Sequence, residues 1–416
     1  MKAILDAVRV AMAERPSPPL IVAVDVPSGL NADTGALDPS AVPADVTITF
    51  AFPKRGHYLF PGAAAVGDLV VADIGIPSEI AGSVVLDLAE PDRIAETLPV
   101  RPRNANKGTF GKVLVLAGCA NYTGAAYLAS MAAYRVGAGL VTLALARSLH
   151  PILAVKTSEV TFLPLPEAEP GYLSEDGLAE LLDALLRYDT LLVGCGLGAH
   201  PRTGLLVQRL LAALPALPAL RLVIDADGLN ALAGNANWWR SLPPAAILTP
   251  HPGEMARLSG LSVAEIESDR IGVALAKAAA WQQVVVLKGA YTVIAAPDGQ
   301  ATINPFANPA MATAGSGDVL AGAIAGLLAQ GDSGAAVARE STAETLKVSE
   351  TLRVSAIRKV ARSYSVAVCG AFVHALAGQV MTQSLGESGM VAGDLLSALP
   401  LAIKALRQPS HPDEES

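Results

Sequence analysis

From Lys107 onward, short and mostly apolar runs alternate with stretches of helical periodicity, and this alternation constrains the fold more than any other feature. Strands are predicted at residues 112–116, 140–145, 191–193, 220–224, 245–248 and 284–287. Such runs have no polar face, so each strand must be covered on both sides. Between the first two lies a helical pattern at 124–136 with small residues on one face. The reading is an α/β fold: a mostly parallel sheet with helices on both faces and ligands beyond the carboxyl ends of its strands. Composition agrees, since 52 % apolar and 16 % charged residues can fill a large core and exclude global disorder.

The first 95 residues follow another style. A helical pattern over 1–14 is stopped by a Pro-rich stretch at 15–19, and residues 20–26 read as a buried strand. Further strand-like runs lie at 46–52 and 68–74, without a complete βαβ set, and a Pro/Arg/Asn-rich linker spans 99–106. The predicted organisation is a first region at 1–98, a main domain at 99–408 and a disordered acidic tail at 409–416. Within the main domain, residues 332–362 turn charged and Ser/Thr-rich. They hold a near-exact hexapeptide repeat, ETLKVS at 344–349 and ETLRVS at 350–355. Two copies are too few for a solenoid, so the stretch reads as a tolerated surface insertion, either helical or mobile.

The net charge of −8 and the lack of a Lys/Arg stripe argue against a nucleic-acid surface. Cys119, Cys195 and Cys369 are far apart and form no CxxC pair, which fits a reducing cytoplasm. No apolar stretch reads as long enough to span a membrane. Faces of small residues on the helices point to a homo-oligomer.

The strongest chemical signal is the run 304–318, ending Gly315-Ser316-Gly317-Asp318 and passing directly into an apolar helix. Bare backbone N–H groups at a helix start attract phosphate. Asp318, in the first turn, either caps the helix or takes a proton from a hydroxyl that attacks phosphorus. TPHPGE at 249–254 fixes His251 in a proline-bounded loop at a strand end, with Glu254 complementing the following helix dipole. GCGLG at 194–198 marks a close backbone approach but is a weak dinucleotide fingerprint. In DADGLN at 225–230, Asp225 and Asp227 end a strand and Asn230 begins a helix; the paired carboxylates, with Asn230, support a magnesium–phosphate cluster, or Asp227 only caps the helix. Lys288, at the end of another strand, either meets a phosphate or snorkels to solvent.

Taken in order, KGTFGKVLVLAG at 107–118, NYTGAA at 121–126, RVGAGLV at 135–141 and the runs above resemble the ribokinase-like NAD(P)H-hydrate dehydratase family over about 101–330, and residues 365–406 resemble its last helices. The resemblance implies a ribokinase-like fold and an enzyme that restores NADH or NADPH from its S-form hydrate. ADP or ATP serves as phosphoryl donor, with Mg2+ beside the nucleotide. It implies Asp318 as base. Ala125, Gly196, Gly198 and His251 would face the hydrated nicotinamide. Lys288, Gly289, Ala290, Tyr291, Thr292, Gly315, Ser316 and Gly317 would face the adenine nucleotide. Where Cys195 stands the family often has proline, a change expected only to soften that turn.

VDVPSGLNADTG at 24–35 and TFAFPK at 49–54 resemble the carboxyl-terminal part of the NAD(P)H-hydrate epimerase domain, a partial Rossmann-like unit. This likeness places a residual epimerase site at Asp25 and Ser28, with K+ expected only for an intact epimerase domain. The family's phosphate loop and first strands have no counterpart, so a truncated domain without epimerase activity is the expectation. Two other readings of the main domain are a ribokinase-like kinase of a small alcohol and a non-catalytic nucleotide binder.

Overall fold

The computed structural model describes residues 2–17, 19–77, 80, 82, 84–331 and 348–408, the side chains of 348–356 excepted. It divides into two compact units, Met1–Val85 and Leu86–Ser416. The smaller unit opens with α1 (Lys2–Ala13) and holds β1 (Val22–Val24), β2 (Val46–Phe50) and β3 (Asp68–Ala72). These form a parallel sheet in the order β1-β2-β3. Central β2 buries Thr47 and Thr49, and the Thr47 hydroxyl donates to the Val66 carbonyl at 2.6 Å. The predicted buried strand at 20–26 shrinks to three residues at the sheet edge, where Val22 and Val24 are exposed. Periodicity registers an apolar run but not whether the unit supplies a layer to cover it.

In the larger unit the strands are β4 (Leu86–Leu88), β5 (Lys112–Leu116), β6 (Leu140–Ala146), β7 (Thr161–Leu165), the small hairpin β8 (Glu167–Glu169) and β9 (Tyr172–Leu173), β10 (Thr190–Val193), β11 (Arg221–Ile224), β12 (Ile247–Leu248), β13 (Val284–Leu287), β14 (Val293–Ala295) and β15 (Ala301–Ile303). Ten of them build one sheet in the order β4-β15-β14-β13-β12-β11-β10-β5-β6-β7. Its run from β13 to β7 is parallel, and β14 pairs antiparallel with both neighbours. The chain starts at β5, moves outward to β6 and β7, then returns to the other side of β5 as β10. This reversal is a topological switch point, the place where sheets of this kind bind ligands beyond their carboxyl ends.

The helices are α2 (Pro91–Thr97), α3 (Thr123–Arg135), α4 (His150–Lys156), α5 (Leu178–Leu185), α6 (Pro201–Ala213), α7 (Ala226–Ala233), α8 (Pro252–Ser259), α9 (Val263–Ser268), α10 (Arg270–Trp281), α11 (Ser316–Ala329), α12 (Val348–Leu385) and α13 (Ala392–Arg407). Central α11 is buried at every residue from 319 to 329. It packs along α3, and a Cβ on Gly322 would stand 2.2 Å from the Ala129 carbonyl oxygen. Only a bare Cα allows that approach. Each fully buried Leu or Ile on this helix contributes about 1.5–3 kcal/mol of transfer free energy, so the helix that carries the Gly-Ser-Gly-Asp turn is firmly held.

Three expectations change. The break between units falls at 85/86 rather than 98/99, because β4 pairs in parallel with β15 and draws the following residues into the larger unit. The proposed insertion at 332–362 is partly regular: residues 348–362 are the first turns of α12, continuous with the family-like segment. Residues 332–347 and the tail at 409–416 lie outside the described residues. Lastly, Ile357–Leu385 is long and apolar enough to cross a membrane by length and composition, contrary to the sequence reading. In its most apolar window 67 % is buried inside the fold, as in the core helix of a globular domain.

Candidate functional site

The carboxyl ends of β10, β11, β12 and β13 and the first turn of α11 converge on one cluster of charged groups. Asp225 ends β11 in extended backbone and is 1 % exposed. Its Oδ1 accepts from the Thr249 hydroxyl at 2.7 Å and from Lys288 Nζ at 2.7 Å. Lys288 follows β13, donates its backbone N–H to the Pro250 carbonyl at 2.9 Å, and lies 3.5 Å from Glu254 Oε2. Burial works against the Lys288 ammonium, but the charges of Asp225 and Glu254 outweigh it and raise its pKa. A Cβ on Gly317 would lie 3.4 Å from that ammonium, which places it beside the first turn of α11.

Asp318 stands in the same turn. Burial, and then the neighbouring charge of Asp225, push its carboxyl up to about 7. Cys195 is buried, and burial followed by the charges of Asp318 and Asp225 holds its thiol well above the usual range. Cys195, Asp225 and Asp318 each bring one ligand-type atom within 4.8 Å of the others. This trio does not fit a resident Mg2+. A thiol is a poor donor to a hard cation, and Asp225 already holds the Lys288 ammonium.

The switch point between β5 and β10 adjoins this cluster through Cys195. Gly118, just past β5, donates its N–H to the Cys195 carbonyl at 2.9 Å. A Cβ on Gly196 would meet Ala125 Cβ at 2.7 Å, so the predicted Ala125 and Gly196 are true neighbours. Gly198 donates its N–H to Asp227 Oδ2 at 2.8 Å, while Asp227 Oδ1 accepts from Asn230 Nδ2 at 3.1 Å. Asn230 Oδ1 in turn accepts from Arg257 Nε at 2.9 Å. Asp227 and Asn230, read from sequence as magnesium or phosphate support, are thus engaged in fixing the glycine turn to α7 and α8. Within that turn Gly194 has φ 129°, and a Cβ there would come within 1.8 Å of the Asp225 carbonyl oxygen. The glycine lets the two strand ends touch.

His251 caps α8 through Nδ1, which accepts from the Gly253 N–H at 3.0 Å, and its ring is half exposed. Glu254, read as a dipole complement, is nearly buried and does more: Oε2 accepts from the His251 N–H at 2.8 Å and faces Lys288. Among the nucleotide candidates, Gly289 to Thr292 form a tight turn closed by the Thr292 hydroxyl donating to the Gly289 carbonyl at 2.8 Å. Tyr291 sits at φ 52°, and its N–H donates to the Phe306 carbonyl. Ala290 lies in the same turn. Ser316 Oγ is 3.4 Å from Nε2 of buried His374, whose ring burial pushes its pKa down to about 4. His374, Thr249 and the role of Glu254 escaped the sequence reading, because long-range pairing leaves no local pattern.

In the smaller unit Asp25 sits at φ 65°, a left-handed conformation that costs energy for aspartate. Its Oδ1 accepts from Lys54 Nζ, from the Thr49 hydroxyl at 3.0 Å and from the Phe50 N–H at 3.1 Å. These bonds, led by that from Lys54, hold the Asp25 carboxyl below its usual range. Ser28 is exposed on the following turn.

Residues 113–401 match the family model described as NAD(P)H-hydrate dehydratase, and residues 2–56 match that described as YjeF-related protein N-terminus. The bifunctional NAD(P)H-hydrate repair enzyme of Moorella thermoacetica is 43 % identical over 389 residues, covering 93 % of this chain and 67 % of its own length. That of Escherichia coli is 33 % identical over 403 residues, covering 96 % and 68 %. The ADP/ATP-dependent NAD(P)H-hydrate dehydratase of Bacillus subtilis, co-crystallised with ATP and Mg2+, superposes with a TM-score of 0.61 at 28 % identity. That match covers 78 % of this chain and all of that one. The matches to bifunctional enzymes run through the smaller unit, so the expectation of missing epimerase activity finds no support in them, and the chain spans about two thirds of the length of these relatives. By its matched length and its identity to these relatives, the chain belongs to the NAD(P)H-hydrate dehydratase family.

Proposed function

We propose that this chain dehydrates the S form of NADH or NADPH hydrate, with ADP or ATP as phosphoryl donor. The observation that carries the reading is Asp318: a half-buried carboxyl raised to about 7, in the first turn of α11, in one cluster with Asp225 and the lysine it holds. A carboxyl with that value is substantially ionised near neutral pH and basic enough to take a proton.

The chemistry follows in two parts. The ring hydroxyl of the hydrate gives its proton to Asp318 as its oxygen takes the terminal phosphoryl group, leaving the nucleotide one phosphate shorter. The N–H groups at the start of α11 and the Lys288 ammonium face the charge that spreads over the transferring group. The ring nitrogen then pushes out phosphate with cleavage of the carbon–oxygen bond, and proton loss from the adjacent carbon restores the dihydronicotinamide. Magnesium enters as the companion of the nucleotide phosphates. Ala125, Gly196, Gly198 and His251 lie on the hydrate side, and residues 288–292 and 315–317 on the nucleotide side.

The test uses the purified chain, S-form NADPH hydrate, Mg2+ and either ADP or ATP, followed by absorbance in the reduced-nicotinamide band. A nucleotide-dependent rise that vanishes in Asp318→Ala is the expected result. A stable phosphate ester without that rise would instead indicate a small-alcohol kinase.

A further inference from the structure

We propose that Asp225 is a positioning residue of the dehydration site: it fixes the Lys288 ammonium beside the Gly317 turn and sets its own charge against Asp318. The inference rests on the dehydratase reading.

Asp225 has the geometry for both tasks. Its single oxygen Oδ1 receives both Thr249 and Lys288 at 2.7 Å, so the Thr249 bond orients the carboxylate that receives the lysine. Glu254 adds a second, looser hold at 3.5 Å. A lysine has four rotatable bonds and on its own would sample many positions. Held by two side chains that are 2 % and 6 % exposed, this one sits at the turn that opens α11, 3.4 Å from where a Cβ on Gly317 would stand. The other side of Asp225 faces Cys195 Sγ at 3.9 Å and, within 4.8 Å, Asp318.

The charges around Asp318 come from several elements, Asp225 and Asp227 around the start of α7 and Lys288 after β13, while the Cys195 thiol after β10 acts on it as a hydrogen-bond partner that lowers its pKa. Glu254 of α8 acts through Lys288, and His374 of α12 lies beside Ser316. Of the charged neighbours, Asp225 contributes most to raising the Asp318 carboxyl, after burial itself. Losing the Asp225 charge favours ionised Asp318. It also frees the Lys288 charge from its partner, which acts in the same direction.

The experiment is the pH profile of kcat/KM for the full chain with S-form NADPH hydrate and Mg-ATP. In Asp225→Asn the acid limb should move down by roughly half to one pH unit, and the plateau should fall roughly tenfold or more as Lys288 loses its place. Asp225→Glu, which keeps the charge, should retain the wild-type limb. A lowered plateau with the limb unmoved in Asp225→Asn would overturn the proposal, because a merely structural residue behaves that way. If Asp225→Asn does not fold, the double variant Asp225→Asn/Lys288→Met is compared with Lys288→Met alone. The limb of the double variant should lie lower, and coincident limbs would overturn the proposal. A wild-type chain without nucleotide-dependent dehydration would sink the dehydratase reading itself, whereas an active wild type with an unmoved limb in Asp225→Asn sinks only this inference.

Discussion

Each compact unit holds an aspartate paired with a lysine, and the two pairs do opposite things. In the smaller unit Asp25 and Lys54 are 38 % and 26 % exposed, and the pair keeps the aspartate below its ordinary range. In the larger unit Asp225 and Lys288 are 2 % and 16 % exposed, and the charge of Asp225 helps push a third group, Asp318, up to about 7. Water screens the first pair in part, and beyond its own atoms its opposite charges pull buried His57 in opposite directions. Burial leaves the second pair unscreened, so its field reaches the next carboxyl. Depth together with the neighbouring charge, and not residue type, separates an acid held ionised from an acid whose carboxyl is raised.

That contrast can be broken or sharpened by substitution. The largest effect is expected at Asp318: Asp318→Asn should lower nucleotide-dependent dehydration by roughly 10²–10⁴-fold, read as the initial rate in the reduced-nicotinamide band. A smaller loss would mean that depth has not made this group the base. Next comes Lys288→Met, which strands a buried carboxylate and should cost about 3–5 kcal/mol in urea unfolding. Gly194→Ala should cost at least about 2 kcal/mol, from a positive φ and a clash with the Asp225 carbonyl, seen as a lower Tm.

A fourth effect concerns pH. The folded Asp318 carboxyl titrates at about 7 against an ordinary 3.8, so the folded state holds the proton more tightly. Stability is therefore lost as pH rises through that window, and the loss is complete above it. Asp318→Asn removes the titration, so its Tm advantage over wild type should grow from about pH 5 to about pH 8. A constant difference would deny the raised carboxyl. The smallest effect is expected in the other unit: Lys54→Met should cost under about 1 kcal/mol, as exposed pairs do. A cost matching that of Lys288→Met would erase the comparison.

Much of the larger unit is legible in the sequence. The run at 112–116 is β5 to the residue, and the predicted strand at 284–287 is β13. Both are apolar on every side because the sheet is covered on both faces. Strands β14 and β15 went unread, since three-residue strands in a meander are too short to show a period. The Gly-Ser-Gly-Asp turn announced itself because bare backbone at a helix start has a local signature. The partnership of Asp225, Thr249, Glu254 and Lys288 did not, because its members are up to 63 residues apart and meet only when β11, β12 and β13 lie side by side.

By itself the sequence determined the class of fold, the ordered motifs that identify the family and the helix that carries Asp318, because periodicity and turn chemistry act within a few residues. Tertiary structure decided where the smaller unit ends, that a long apolar helix is largely a buried one, and above all that the Asp318 carboxyl is raised. Those outcomes depend on burial and on charges brought together across the sheet, and no local stretch of chain encodes its own dielectric surroundings.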